Sequence, residues 1–203
     1  MSHLITLEGG EGAGKSTQLR LLAEGLAARG IPTLATREPG GAPGAEILRE
    51  LLLSGQHHYA PLAEMMLHFA ARAEHMARTI RPALEHGTWV LCDRFFDSTE
   101  AYQVHGQGAD PAAFAALKAL IQPHPALTVI LDVDAQTAAA RQAARGRPED
   151  RYDKLGAAFH ARVAAGFRAI AAANPRRCVL IDANRPPAAI AADIMAVVHT
   201  RLL

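Results

Sequence analysis

The sequence predicts an α/β fold, a parallel five-stranded sheet with helices on both faces, and three observations carry that prediction. Apolar strand-like runs occur five times, helical patterns lie between them, and a glycine-rich turn follows the first run directly. Near-continuous apolar strands separated by helices are what a sheet buried on both faces requires.

The first strand is "LITLE" (4–8), which leads into "GGEGAGKST". Leu19, Leu22 and Leu26 then recur at helical spacing until Gly30 and Pro32 stop the helix. "PTLATRE" (32–38) is the second strand. Residues 61–86 read as a helical stretch that begins at Pro61 and is closed by Gly87. "TWVLCDR" (88–94), "LTVILDV" (127–133) and "RCVLIDA" (177–183) supply the remaining strands. No internal repeat or low-complexity linker interrupts the pattern, so the expected organisation is a single domain over residues 1–203.

Half of the 203 residues are hydrophobic and the net charge is +1, which fits a globular chain with no general affinity for nucleic acid or a membrane surface. The N-terminal stretch lacks the basic segment and sustained apolar run of a signal peptide, so a cytoplasmic protein is expected. Cys92 and Cys178 sit inside strand-like runs and read as buried, reduced thiols. The ten histidines form no cluster at metal-ligand spacing.

Gly9-x-x-x-x-Gly14-Lys15-Ser16 fits the phosphate-binding loop pattern in its proper strand–loop–helix setting. Its glycines let backbone N–H groups turn toward phosphate oxygens, and the helix N-terminus adds a favourable dipole. Lys15 would reach the outer phosphates of a nucleoside triphosphate, and the Ser16 hydroxyl would ligate Mg²⁺. A GTPase would carry an Asn-Lys-x-Asp segment, and none exists here. Motor and transporter ATPases are usually larger. What remains is a small kinase, with a nucleotide-binding module lacking turnover as the alternative.

Three further segments could bind the acceptor: "TREPGGAPGAEILRELLL" (36–53), "LHFAARAEH" (67–75) and "CDRFFDSTEAYQ" (92–103). They place charged residues at strand ends or on nearby helices, where open α/β sheets bind ligands. Their arginines suit an anionic acceptor because a guanidinium can hold phosphate oxygens bidentately.

Taken with "EGGEGAGKST", "LDV" and the Arg-rich segment ending "DRYD", these segments make nearly the whole chain resemble the thymidylate kinase family, P-loop kinases that convert dTMP to dTDP. The resemblance implies that Gly10, Glu11, Gly12, Ala13, Gly14, Lys15, Ser16 and Thr17 wrap the ATP phosphates. It also implies that Glu11 meets the 3′-hydroxyl of the acceptor, and that Glu38 and Pro39 lie beside its phosphate and metal. Arg49 and Arg94 would hold the acceptor phosphate, and Asp93 would act on the Mg²⁺ shell. Arg72 would donate to the thymine carbonyl, with Thr99 and Gln103 on the base. The family's stacking ring lies four residues before that arginine, at His68 here, with Phe69 as the other possibility. Gln107 stands where many bacterial members have Arg, and no role is assigned to it.

"ARQAARGRPEDRYD" (140–153) follows the fourth strand, and its arginines, with Gly146 and Pro148 between them, suggest a lid at about 141–153. The resemblance to bacterial-type members, which have an acidic loop residue like Glu11, implies that the lid supplies the catalytic cation. Arg145 and Arg151 best match those positions, Arg145 first. Family members are generally homodimers, so a homodimer is the expectation. Another nucleoside or nucleotide kinase is the remaining alternative within enzymes.

Overall fold

The computed structural model describes residues 3–146, 151–152 and 154–203, the side chain of Arg145 excepted. Five strands pair in parallel in the order β2-β3-β1-β4-β5: β1 (Leu4–Glu8), β2 (Thr33–Arg37), β3 (Trp89–Asp93), β4 (Leu127–Asp132) and β5 (Cys178–Asp182). Each lies within a residue of the run predicted for it.

Successive strand side chains point to opposite faces, so each strand feeds two cores. Ile5 and Leu7 of β1 join Leu19, Leu22 and Leu26 of α1 (Lys15–Ala27) and Ile190, Ile194 and Val198 of α9 (Pro187–Leu202). Leu4 and Val90 face the other way, toward Met65 and Phe69 of α3 (Pro61–His75), Phe96 of α5 (Phe96–Thr99) and Phe114 of α6 (Pro111–Ala119). Ile130 of β4 meets Phe159, Val163, Phe167 and Ile170 of α8 (Ala157–Ala173). The apolar layers hold the fold. Truncating a wholly buried residue such as Leu26 to Ala is worth about 2–5 kcal/mol. The Arg20–Glu24 pair, more than half exposed on both sides, contributes about 0–1 kcal/mol.

The predicted 61–86 helix is present with one irregularity. A π-helical turn at Met76–Ile80 joins α3 to α4 (Arg81–Glu85) just before Pro82, which has no N–H to continue the regular ladder. A second π-helical segment, Glu100–Gly106, continues α5 and packs on α8. The remaining helices are α2 (Pro43–Leu53) and α7 (Ala135–Arg145). Among the described residues no helix is long and apolar enough to cross a membrane.

Candidate active site

The chain leaves β1 toward the β2 edge of the sheet and leaves its neighbour β4 toward the β5 edge, so the connections diverge between these two strands. Such a point opens a crevice at the carboxyl ends of the strands. The turn after β1 fills it. Gly9, Gly12 and Gly14 have φ of 134°, 73° and 92°, values that L side chains rarely adopt. A Cβ on Gly12 would lie 2.5 Å from the Ala138 carbonyl oxygen, so glycine is required there for close approach as well. Gly14 precedes α1 without a capping side chain, leaving first-turn N–H groups for an anion.

Lys15 is buried, with Nζ donating to the carbonyls of Gly9 (3.1 Å) and Gly10 (2.9 Å). Burial, reinforced by nearby Arg94, lowers its pKa to about 8. Ser16 Oγ donates to Asp93 Oδ2 at 2.8 Å. A hydroxyl beside a carboxylate is a hard-oxygen set of the kind Mg²⁺ takes together with waters and substrate phosphates, so the residues fit that ion.

Arg94 is held in an uncommon conformation, φ 70°, the one positive φ outside glycine among the described residues. Its N–H donates to the Leu7 carbonyl (2.9 Å), and the next N–H, of Phe95, donates to Glu8 Oε1 (2.7 Å). The guanidinium donates to Gly9 O and Ser98 Oγ, both at 3.0 Å, and pairs with the Glu11 carboxylate. Glu8 is one of the residues to which sequence reasoning gave no role. It is fully buried and also accepts from Ser98 Oγ, and burial together with Asp97 raises its pKa to about 8. The signal was a carboxylate closing an otherwise apolar strand run.

At the other end of the crevice, Glu38 Oε2 accepts from Arg72 Nε at 2.6 Å and Oε1 lies 3.0 Å from His75 Nδ1, all of them buried. Arg72 Nη2 donates to Thr99 Oγ1 at 3.1 Å, its guanidinium lies 4.8 Å from the Phe69 ring centroid and 5.2 Å from that of Phe95, and its buried Nη1 has no partner among the described residues. Arg49 Nη1 donates to the Pro39 carbonyl at 2.6 Å.

One cavity of about 260 Å³ joins the two ends. Glu11, Lys15, Ser16, Glu38, Pro39, Arg49, His68, Arg72, Asp93, Arg94, Thr99 and Gln103 all line it. Tyr102, Ser98 and Tyr152 line it too and were not singled out from sequence. Phe69 does not line it. One residue further round α3 than His68, its ring turns into the core and meets Phe114 edge-on at 5.9 Å, so of the two it is His68 that lies in the cavity wall. Burial, with Arg72 next in effect, lowers the pKa of His68 to about 3, and the ring is neutral.

Glu64, on α3 and wholly buried, accepts from Gln103 Nε2 (2.9 Å), Gln107 Nε2 (2.8 Å) and Tyr152 OH (2.7 Å), and pairs with Arg151. Burial alone would raise its pKa, but the bonds from Tyr152 and Gln107 and the charge of Arg151 bring it below the ordinary value. Arg151 therefore faces Glu64, and it does not line the cavity that holds Lys15 and Arg94. The side chain of Arg145 and residues 147–150 and 153, in the expected lid, lie outside the described residues.

A family model described as thymidylate kinase matches residues 7–194. The thymidylate kinase of Gluconobacter oxydans is 52% identical over 203 residues, covering 98% of this chain and 94% of the relative. That of Caulobacter vibrioides is 49% identical over 205 residues, covering 98% and 96%. A crystal structure of thymidylate kinase from Ehrlichia chaffeensis superposes with a TM-score of 0.80 at 34% identity, covering 97% of this chain and 98% of that one. With a P-loop kinase fold and this crevice, the chain belongs to the thymidylate kinase family.

Proposed function

We propose that the protein phosphorylates dTMP to dTDP by direct, in-line transfer of the γ-phosphoryl group of Mg-ATP. The observation that carries this reading is a single cavity with unlike ends. Lys15, Arg94 and the uncapped start of α1 gather cationic and N–H groups at one end, and Arg72 offers a buried, unpartnered N–H donor elsewhere in the wall. An unmet buried donor costs about 1–3 kcal/mol, and a base carbonyl would satisfy it.

In this reading the phosphate loop holds the triphosphate and Lys15 neutralises its outer oxygens. Arg94 and Arg49 hold the acceptor phosphate, Glu11 meets the sugar, and Thr99 and Gln103 face the base beside Arg72. Ser16 and Asp93 would hold Mg²⁺, which when bound neutralises charge on the phosphate oxygens. The acceptor oxygen is already anionic, so no strong general base is needed. Positioning and charge neutralisation supply the acceleration. The segment at about 141–153 is read as a lid from its arginines with Gly146 and Pro148 between them, and Arg145 as its first catalytic cation from the resemblance.

The test is Mg²⁺-dependent ADP formation from ATP with dTMP, dUMP, dCMP, dGMP and AMP, beside a control without acceptor. Strong dependence on dTMP is expected. Turnover with another monophosphate in preference would overturn the substrate, and ATP binding without acceptor-dependent turnover would overturn the enzyme. We also read the paired helices α2 and α3 as the face that meets a second copy, because Ile47 and Leu51, and Leu62 and Met66, are exposed at helical spacing there. A monomer by light scattering would remove that part.

A further inference from the structure

The network around Glu64 settles a question of proton placement that bears on the base end of the site. Tyr152 has one hydroxyl proton, and it is donated to the Glu64 carboxylate, at Oε1, 2.7 Å away. Its oxygen must then act as acceptor toward the two other side chains described beside it. Gln103 Nε2 at 3.2 Å is a donor, and His68 Nε2 lies 2.9 Å away. The His68 ring must therefore carry its proton on Nε2. Because Glu64 also receives Gln103, Gln107 and Arg151, its charge is balanced and its position fixed without help from the cavity.

We propose that Glu64 is a positioning residue of the base pocket: acting through the Tyr152 hydroxyl, it locks the neutral His68 ring as the Nε2–H tautomer in one orientation in the cavity wall. The chain of contacts runs from α3 across to Tyr152 and back to α3 four residues further on, so that Glu64 and His68 lie on one helix face and Tyr152 bridges them. A ring fixed in this way loses little freedom when an acceptor base packs on it, which favours binding. The same carboxylate ties Arg151 to the base pocket, so the position of that arginine and the orientation of the ring depend on one residue.

The kinetic arm rests on the proposed kinase reading; the spectroscopic arm does not. In the full-length protein labelled with ¹⁵N at histidine, the His68 imidazole should give the nitrogen shifts of a neutral Nε2–H tautomer. Tyr152→Phe, which removes only the hydroxyl, should move them toward a mixture of tautomers. An Nδ1–H ring in the unsubstituted protein, or shifts unmoved by Tyr152→Phe, would overturn the proposal. With whichever monophosphate turns over, Tyr152→Phe should raise the acceptor KM about tenfold while the KM for ATP stays put, the size expected for one lost hydrogen bond. In a His68→Phe background, where the ring has no nitrogen to orient, the same change should have no further effect. An equal rise in both backgrounds would mean that Tyr152 acts some other way. Glu64→Ala should reproduce the tautomer mixing, and if it does not fold, the Tyr152 and His68 variants decide alone. A different preferred acceptor with the Nε2–H signature intact would sink the substrate reading and leave this one standing.

Discussion

The two ends of the crevice are built differently. At the proposed phosphate end, one short stretch of chain supplies most of the groups. Backbone turns at Gly9, Gly12 and Gly14 deliver Lys15 and Ser16, and they are joined by Asp93, which ends the strand next to β1, and by Arg94 just after it. At the proposed base end the partners are distant in sequence. Glu38 follows β2, Glu64 and Arg72 lie on α3, Thr99 and Gln103 lie on α5 and its continuation, and these meet one another and Tyr152 through side chains, with Glu64 and Tyr152 88 positions apart. A backbone-built site tolerates few changes in the chain but keeps its geometry without partners. A side-chain-built site depends on each buried polar group satisfying another.

The largest expected effect tests that dependence. Glu38→Ala leaves Arg72 buried without its carboxylate and should destabilise the fold by roughly 3–5 kcal/mol in denaturant unfolding. A loss under about 1 kcal/mol would show that the base end does not need its internal pairs. Lys15→Met should lower kcat about 10²–10³-fold, the scale of one well-placed electrostatic donor, while leaving the acceptor KM within a few-fold. Gly12→Ala forces a Cβ against the Ala138 carbonyl in a strained φ and should cost about 1–3 kcal/mol, with weaker ATP binding by calorimetry. An unchanged ATP affinity would break the claim that the loop is fixed by its backbone.

The smallest effect is a pH dependence. The folded pKa of His68 is about 3 against an ordinary 6.5, so between those values the unfolded chain takes up a proton that the folded ring refuses. Stability should therefore be lost as pH falls through that window, by at most about 1.4 kcal/mol per pH unit for this group. His68→Phe should flatten the slope measured between about pH 7 and about pH 5, by an amount that grows toward that limit as pH falls below the ordinary value. A steeper slope in the variant would contradict a buried, neutral imidazole.

The same division explains what could be read from the sequence. All five strands and the phosphate loop were legible because apolar runs and glycine spacing are local signals. The base contacts expected of Arg72, Thr99 and Gln103 came only through family resemblance, since their meaning lies in contacts far along the chain. Glu8 and Glu64 were not named at all. Each is one carboxylate in an apolar pattern, and nothing nearby shows that it collects buried donors. His68 and Gln107, where the sequence departs from the family pattern, prove to share that network, Gln107 directly on Glu64 and His68 through Tyr152. Phe69 could not be separated from His68 by spacing, because one step along a helix decides between core and cavity.

The most direct test of the central claim, that one end transfers phosphate while the other selects the base, is steady-state kinetics of Arg72→Lys. Lysine keeps the charge beside Glu38 but loses the planar fork that reaches Thr99 and leaves a donor over. The account predicts a KM for dTMP raised by about tenfold or more, with kcat within about threefold of the unsubstituted protein. A collapse of kcat at unchanged KM would mean that Arg72 acts in the transition state, and the division between the two ends would be wrong.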